Sequence, residues 1–191
     1  VADAGREVDR QFDDLSIPFL ICMAGLPGAG KSTIAEIVGA RLGAPIVSVD
    51  PIESAILSAG IAADQPTGLA AYLVAETMVE QTLVAGRTVI VDAVNAVEPA
   101  RLQWRDLAAR LNVEIRVIEV ICSDPGLHRS RLENRVRNLP YVSEASWHAV
   151  EQSLEEYTEW IGDVAEMPRI TLDTVNPIGQ NVETAFAFLQ G

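Results

Sequence analysis

One lysine is all that this chain of 191 residues contains. It has two cysteines, two histidines and few aromatic residues. Each scarcity excludes something. His128 and His148 are isolated, so no Cys/His cluster has the spacing of a zinc site, and each histidine reads as structural or exposed rather than catalytic. Cys22 and Cys122 lie in apolar, strand-like segments and read as buried, reduced thiols rather than a disulfide. No apolar run reaches the length of a transmembrane helix. The first residues lack a basic stretch followed by an apolar one, so no secretory signal is expected and a cytoplasmic location is. Lysine and arginine total 14 against 27 acids, a net charge of −13. Such a chain repels extended nucleic acid unless it carries a local basic patch. Nothing in the pattern sets an oligomeric state.

The lysine is Lys31, within Gly25-Leu26-Pro27-Gly28-Ala29-Gly30-Lys31-Ser32, a full match to G-x-x-x-x-G-K-[ST]. A compact ammonium on a flexible stem can reach between the outer phosphates of a nucleotide, where an arginine fork is too broad. The apolar run Phe19-Leu20-Ile21-Cys22-Met23-Ala24 precedes the loop and reads as a strand buried on both faces. Residues 33–42 follow as a helix, with Ile34, Ile37, Val38 and Leu42 on one face. Strand, loop and helix are the context the motif requires. Gly25, Gly28 and Gly30 let the backbone bend and approach a ligand. The N–H groups of Ala29, Lys31, Ser32 and Thr33 then form an anion cradle at a helix N-terminus. Ser32 should offer its hydroxyl to Mg²⁺.

The remaining pattern predicts one domain over 17–191 behind a polar, acidic leader, 1–16. A second strand, 45–49, ends at Asp50, and Pro51 opens a helix over 52–59. A long helix carries Leu69, Leu73, Val79 and Leu83 and stops at Gly86. A third strand, 88–91, ends at Asp92, and a helix spans 99–111. A fourth strand, 113–121, has alternating charges that make part of it less buried. Asp124 starts an arginine-rich helix. Trp147, Val150, Leu154, Tyr157 and Ile161 fall on one face of the next. A fifth strand, 169–172, and a closing helix, 179–189, complete an α/β alternation that implies a parallel sheet.

Ligands of open α/β sheets bind beyond the carboxyl ends of the strands. Asp50 and Asp92 are placed there. Asp92 follows Val89-Ile90-Val91 as a metal-holding acid would, while Asp50 suits the task of taking a proton from an attacking hydroxyl. Helix capping is the alternative for both. Asn95 either contacts substrate or caps a helix. Arg129, Arg131, Arg135 and Arg137 lie within nine residues of an acidic chain. Arg131 and Arg135, four apart, share a helix face and can clamp a phosphoryl group as charge develops on it. That segment, about 129–146, reads as a lid.

These segments together resemble the P-loop kinases related to polynucleotide kinase, a group that takes in zeta toxins and chloramphenicol phosphotransferase. The resemblance rests on GLPGAGKST, the acid after the second strand, VIVDAVN and CSDPGLHRSRLENR, and covers roughly residues 18–176. It implies a P-loop NTPase fold, five parallel strands in the order 2-3-1-4-5 with an arginine-bearing lid. It also implies ATP and Mg²⁺, a hydroxyl acceptor, a general base at Asp50, and an adenine-side turn at Thr171-Leu172-Asp173-Thr174. The chain departs from the pattern at Ala93-Val94, where polynucleotide kinases often carry Asp-x-Thr-Asn. The leading expectation is phosphate transfer from ATP to a small-molecule hydroxyl. Nucleic-acid or toxin-type kinases and a nucleotide-hydrolysing regulator are the alternatives. The acceptor pocket is assigned to residues 51–80, an apolar segment with few polar anchors.

Overall fold

The computed structural model describes residues 17–135, 139–141 and 147–191. The leader, Arg137 and much of the expected lid lie outside the described residues.

Five parallel strands form one sheet: β1 (Phe19–Ala24), β2 (Ile46–Ser48), β3 (Val89–Asp92), β4 (Glu114–Ile121) and β5 (Arg169–Asp173). Their order is β2-β3-β1-β4-β5, that of a P-loop NTPase. The helices between them are α1 (Lys31–Leu42), α2 (Val49–Ser58), α3 (Thr67–Val84), α4 (Glu98–Leu111), α5 (Pro125–Glu133) and α6 (Trp147–Glu156), and α7 (Ile178–Gln190) follows the last strand. Side chains alternate across a strand, and a parallel sheet is covered on both faces. So Leu20 and Cys22 point to one layer, with Ala75 and Val79 of α3 and Trp104 of α4. Ile21 and Met23 point to the other, with Ile34 and Val38 of α1 and Phe186 of α7. Burial pushes the Cys22 thiol up to about 12, which keeps it protonated and inert.

Several expected faces are revised. On α3 the buried stripe is Thr67, Ala71, Ala75, Val79 and Leu83, spaced by four residues. Leu69 and Leu73 are 61% and 54% exposed. Small alanines allow α3 to lie close against the sheet, and close approach decided the face rather than side-chain size. Ile37 of α1 is likewise exposed, and Ala35 takes its place in the core. Helix α6 ends at Glu156, so Ile161 is not on it and is exposed, as is Leu154. Cys122 lies just past β4 and is half-buried rather than buried.

Parallel pairing sets the rim on which the site is built. Met23 of β1 pairs with Asp92 of β3, and Ser48 at the end of β2 pairs with the same Asp92. Ile121 of β4 pairs with Asp173 of β5. All five strands therefore deliver their carboxyl ends to one edge.

Candidate active site

The loop between β1 and α1 is held at several points. Gly25 has φ 132°, and a Cβ there would stand 2.1 Å from the carbonyl oxygen of Val120, so β4 passes too close for any side chain. The Gly25 N–H donates to the Val94 carbonyl at 3.0 Å. Gly30, with φ 102°, is the residue before α1 and turns the chain into it. The Lys31 ammonium donates to the Leu26 carbonyl across the loop at 3.1 Å. Thr174 Oγ1 donates to the Ala29 carbonyl at 2.8 Å, which joins the turn after β5 to the loop. His128 Nε2 sits 2.8 Å from the Pro27 carbonyl and its ring meets Trp147 edge-on, so this histidine is structural, while His148 is exposed.

Ser32 Oγ donates to Asp92 Oδ2 at 2.8 Å. Ser48 Oγ reaches the same oxygen at 3.5 Å. A hydroxyl and a carboxylate are thus paired directly beneath the loop. Such hard oxygen donors fit Mg²⁺, which takes one or two protein ligands and completes its shell with phosphate and water. Among the described residues there is no group of three or more acidic, histidine or cysteine side chains that would form an all-protein metal cage.

The two acids do not occupy equivalent positions. Asp92 ends β3, whereas Asp50 lies in the first turn of α2, because β2 stops at Ser48. Neither caps a helix: the residue before α2 is Ser48, and that before α4 is Val97. Asn95 caps no helix, since the residue before α4 is Val97. It is fully buried with φ 48°, and its amide donates to Met23 O at 2.7 Å and accepts from Trp104 Nε1 at 3.0 Å. It fixes the loop after Asp92 to β1. Tyr72 OH accepts from the Asn95 N–H at 3.4 Å. Burial pushes this phenol up to about 12, and the charges of Asp50 and Asp92 push the same way, so it stays neutral.

The arginines divide. Arg129 pairs with Glu133 at 2.7 Å on an exposed face. Arg131 Nη1 donates to Thr174 Oγ1 at 2.7 Å and Nη2 to the Thr174 carbonyl at 2.9 Å. Arg135 lies just beyond the end of α5, past the helical face that spacing had assigned it.

Two cavities flank the loop helix. One of about 530 Å³ is lined by Gly28, Gly30, Thr33, Arg131, Thr174, Asn176 and Asn181. The other, about 370 Å³, is lined by Asp50, Asp92, Ser48 and Leu139. Lys31, Ser32, Glu36 and Arg135 line both. Gly25 and Ala29 face neither; they border a third, apolar cavity on the other side of the loop. Of residues 51–80, only Pro51 lines the second cavity, so that cavity is not the apolar pocket expected from that segment. Helix α3 turns its apolar side chains either into the sheet or outward. Glu36, Ser48 and Asn181 were missed by sequence reasoning. Glu36 follows Lys31 by five residues on α1, and the helical period alone does not reveal what faces it across a cleft.

A family model described as an AAA domain matches residues 20–159, most of the chain. The protein belongs to the AAA domain family. Solved structures share its fold. A sugar kinase from Janibacter sp. HTCC2649 superposes with a TM-score of 0.66 at 18% identity, over 91% of this chain and 95% of that one. A gluconokinase from Sinorhizobium meliloti 1021 gives 0.61 at 18% identity, over 91% and 93%. Kti12 from Chaetomium thermophilum, in complex with ADP-AlF3, gives 0.66 at 20% identity, over 90% and 100%. No curated protein sequence matches the chain. No helix among the described residues is long and apolar enough to cross a membrane.

Proposed function

We propose that this protein is an ATP-dependent phosphotransferase that moves the γ-phosphate of ATP to a hydroxyl group of a small molecule. The observation that carries this reading is the pair of cavities that meet at Lys31, Ser32 and Arg135. One is built for phosphates and the other opens onto a carboxylate, Asp50. A donor and an acceptor bound there would meet at the one lysine.

The roles follow from position. Loop N–H groups from Gly28 to Thr33 and the Lys31 ammonium hold the β- and γ-phosphates. Arg131 and Thr174, joined to each other, border the base and ribose end of the nucleotide. Ser32 and Asp92 would hold Mg²⁺, which would supply positive charge against the phosphates. Asp50 takes the proton of the acceptor hydroxyl as its oxygen forms a bond to the γ-phosphorus. The bond from that phosphorus to the β–γ bridging oxygen breaks, and ADP leaves with the electron pair. Arg135, which borders both cavities, stabilises the charge that grows on the transferring group.

The narrower kinship with polynucleotide kinase, zeta toxin and chloramphenicol phosphotransferase is part of this reading. A small acceptor is favoured over a polymer by the net charge of −13 and by structural neighbours named as a sugar kinase and a gluconokinase. A nucleotide-hydrolysing regulator is less favoured, since Ala93, not a glutamate, follows Asp92. The test is ADP release from ATP·Mg²⁺ across nucleosides, sugars, aminoglycosides and phenicols. Acceptor-dependent release that Lys31→Ala abolishes supports the reading; release equal with and without every acceptor contradicts it.

A further inference from the structure

We propose, on the phosphotransfer reading above, that Asn181 reads the base of the nucleotide. Its side-chain oxygen accepts a hydrogen bond from the 6-amino group of adenine, so the site selects a 6-amino purine over a 6-oxo purine. Asn181 lies in the first turn of α7 and is 4% exposed. Its Nδ2 donates to the Asp173 carbonyl at 2.9 Å, and the Asn176 N–H donates to the same carbonyl at 3.1 Å. A carbonyl can only accept, so the amide nitrogen must face Asp173 and the amide oxygen must face away from it. Among the described residues nothing donates to that Oδ1. Nor, among them, is any enclosed side-chain oxygen or nitrogen left without a partner, so Oδ1 opens onto the larger cavity, which Asn181 lines. A nearly buried amide thus holds one acceptor ready for the nucleotide.

The lining of that cavity suits a base rather than a sugar. Ile178, three residues earlier on the same helix, is 48% exposed and lines it too. So does Arg131, whose bonds to the Thr174 hydroxyl and carbonyl use the edge of the guanidinium. A guanidinium face and an aliphatic side chain both pack on a flat ring, and a ribose has no flat face to offer them. Thr174 follows Asp173 directly, so the carbonyl that orients Asn181 and the residue that orients Arg131 are neighbours in one turn. The same turn is tied to the phosphate loop, where Thr174 Oγ1 donates to the Ala29 carbonyl at 2.8 Å. The amide is therefore fixed relative to the loop and not only to its own helix. Fixed geometry turns one hydrogen bond into discrimination. Adenine presents a donor at position 6 and gains a bond. A 6-oxo purine in the same pose sets an acceptor against an acceptor, and both lose water without finding a partner.

The test is calorimetry of the full chain with Mg²⁺ and four ligands: ADP, purine riboside diphosphate, which lacks the 6-amino group, inosine diphosphate, which carries a 6-oxo group, and 2′-deoxyADP. None of them needs an acceptor. The expected result is that purine riboside diphosphate binds about three- to tenfold more weakly than ADP, the worth of one neutral hydrogen bond, and inosine diphosphate about tenfold or more. In Asn181→Leu the ratio of ADP to purine riboside diphosphate falls to about one, while the ratio of ADP to 2′-deoxyADP stays at its wild-type value. That variant also loses the bond to Asp173, but a ratio taken within one protein cancels a general loss of affinity. The wild-type ratios need no variant, so they decide the matter even where Asn181→Leu does not fold. Equal binding of ADP, purine riboside diphosphate and inosine diphosphate by the wild type overturns the proposal and leaves the phosphotransfer reading standing. A preference for the 6-amino group that Asn181→Leu retains does the same. So does a change in Asn181→Leu confined to the 2′-hydroxyl, which would give the oxygen to the ribose. Wild-type protein that binds none of the four overturns the phosphotransfer reading as well.

Discussion

Lys31 is nearly buried, and its ammonium lies folded back on the Leu26 carbonyl, within the loop that carries it. A nucleotide phosphate would offer that ammonium a charged acceptor, and a hydrogen bond to a charged acceptor is stronger than one to a carbonyl. Lys31→Ala should therefore abolish transfer, by about 10²-fold or more, while circular dichroism and the melting temperature stay close to wild type. Lys31→Arg should not restore it, because a guanidinium fork does not fit where a point charge does. The two acids separate by a paired experiment. Asp92 holds the Ser32 hydroxyl, so Asp92→Asn should raise the Mg²⁺ concentration needed for nucleotide binding. Asp50→Asn should bind ATP·Mg²⁺ normally and transfer slowly, by about 10²–10⁴-fold where a base is fully used and less if the transition state is loose. Titrating Mg²⁺ against both variants decides it; the reverse pattern would exchange their roles.

Two short elements border the two cavities. Helix α5 carries Arg131, locked to Thr174, and releases Arg135 beyond its last turn to the border of both cavities. Arg135→Ala should lower kcat far more than it weakens ATP binding, whereas Arg131→Ala should mainly weaken ATP binding. Equal effects on kcat would return both to one shared clamp. Helix α2 carries Ser54, whose hydroxyl donates to the carbonyl of Pro140, next to Leu139 of the second cavity. Ser54→Ala should raise tryptic cleavage after Arg135 several-fold without lowering the melting temperature, and Ser54→Thr should restore protection; an unchanged cleavage rate would remove that role. At this scale the sequence was legible where a local signal existed. The β1 run, the loop and α1 were readable because apolar run, glycines and helix follow one another directly. The outward turn of Leu69 and Leu73 was not, since the helical period permits two faces and the sheet chose the one lined with alanine. Nor was Arg135, because its place depends on where α5 ends rather than on four-residue spacing.

The molecule as a whole is braced by buried charge around β4 and the loop after Asp92, and this too was invisible in sequence. Arg101 is fully buried; its guanidinium donates to the carbonyls of Asn95, Ala96 and Thr158 and stacks 3.9 Å from the Trp160 ring. Glu119 of β4 accepts from Tyr157 at 2.7 Å, Trp160 at 2.9 Å, Thr171 at 2.8 Å and Arg169 at 2.5 Å. These partners are 38 to 52 positions away, beyond any local pattern. Burial alone would raise the Glu119 carboxyl, but the hydrogen bonds from Tyr157, Trp160 and Thr171 and the Arg169 charge hold it below the usual carboxylate range. A depressed folded value means stability that is present above the ordinary value of 4.5 and is lost as pH falls through the folded one. Urea midpoints should fall below that pH in the wild type. Glu119→Gln should flatten the dependence and cost about 2–3 kcal/mol at neutral pH; an unchanged acid limb would contradict the assignment. What this bracing supports is a rigid rim on which Lys31, Ser32, Asp92 and Asp50 converge, and the claim that they transfer phosphate is open to one direct measurement. Wild-type and Lys31→Ala proteins are incubated with γ-labelled ATP, Mg²⁺ and the acceptor panel, and the label is followed into organic phosphate and inorganic phosphate. The account predicts label in an organic product with the wild type and none with Lys31→Ala. Label that appears only as inorganic phosphate, or an organic product formed equally by both proteins, would contradict it.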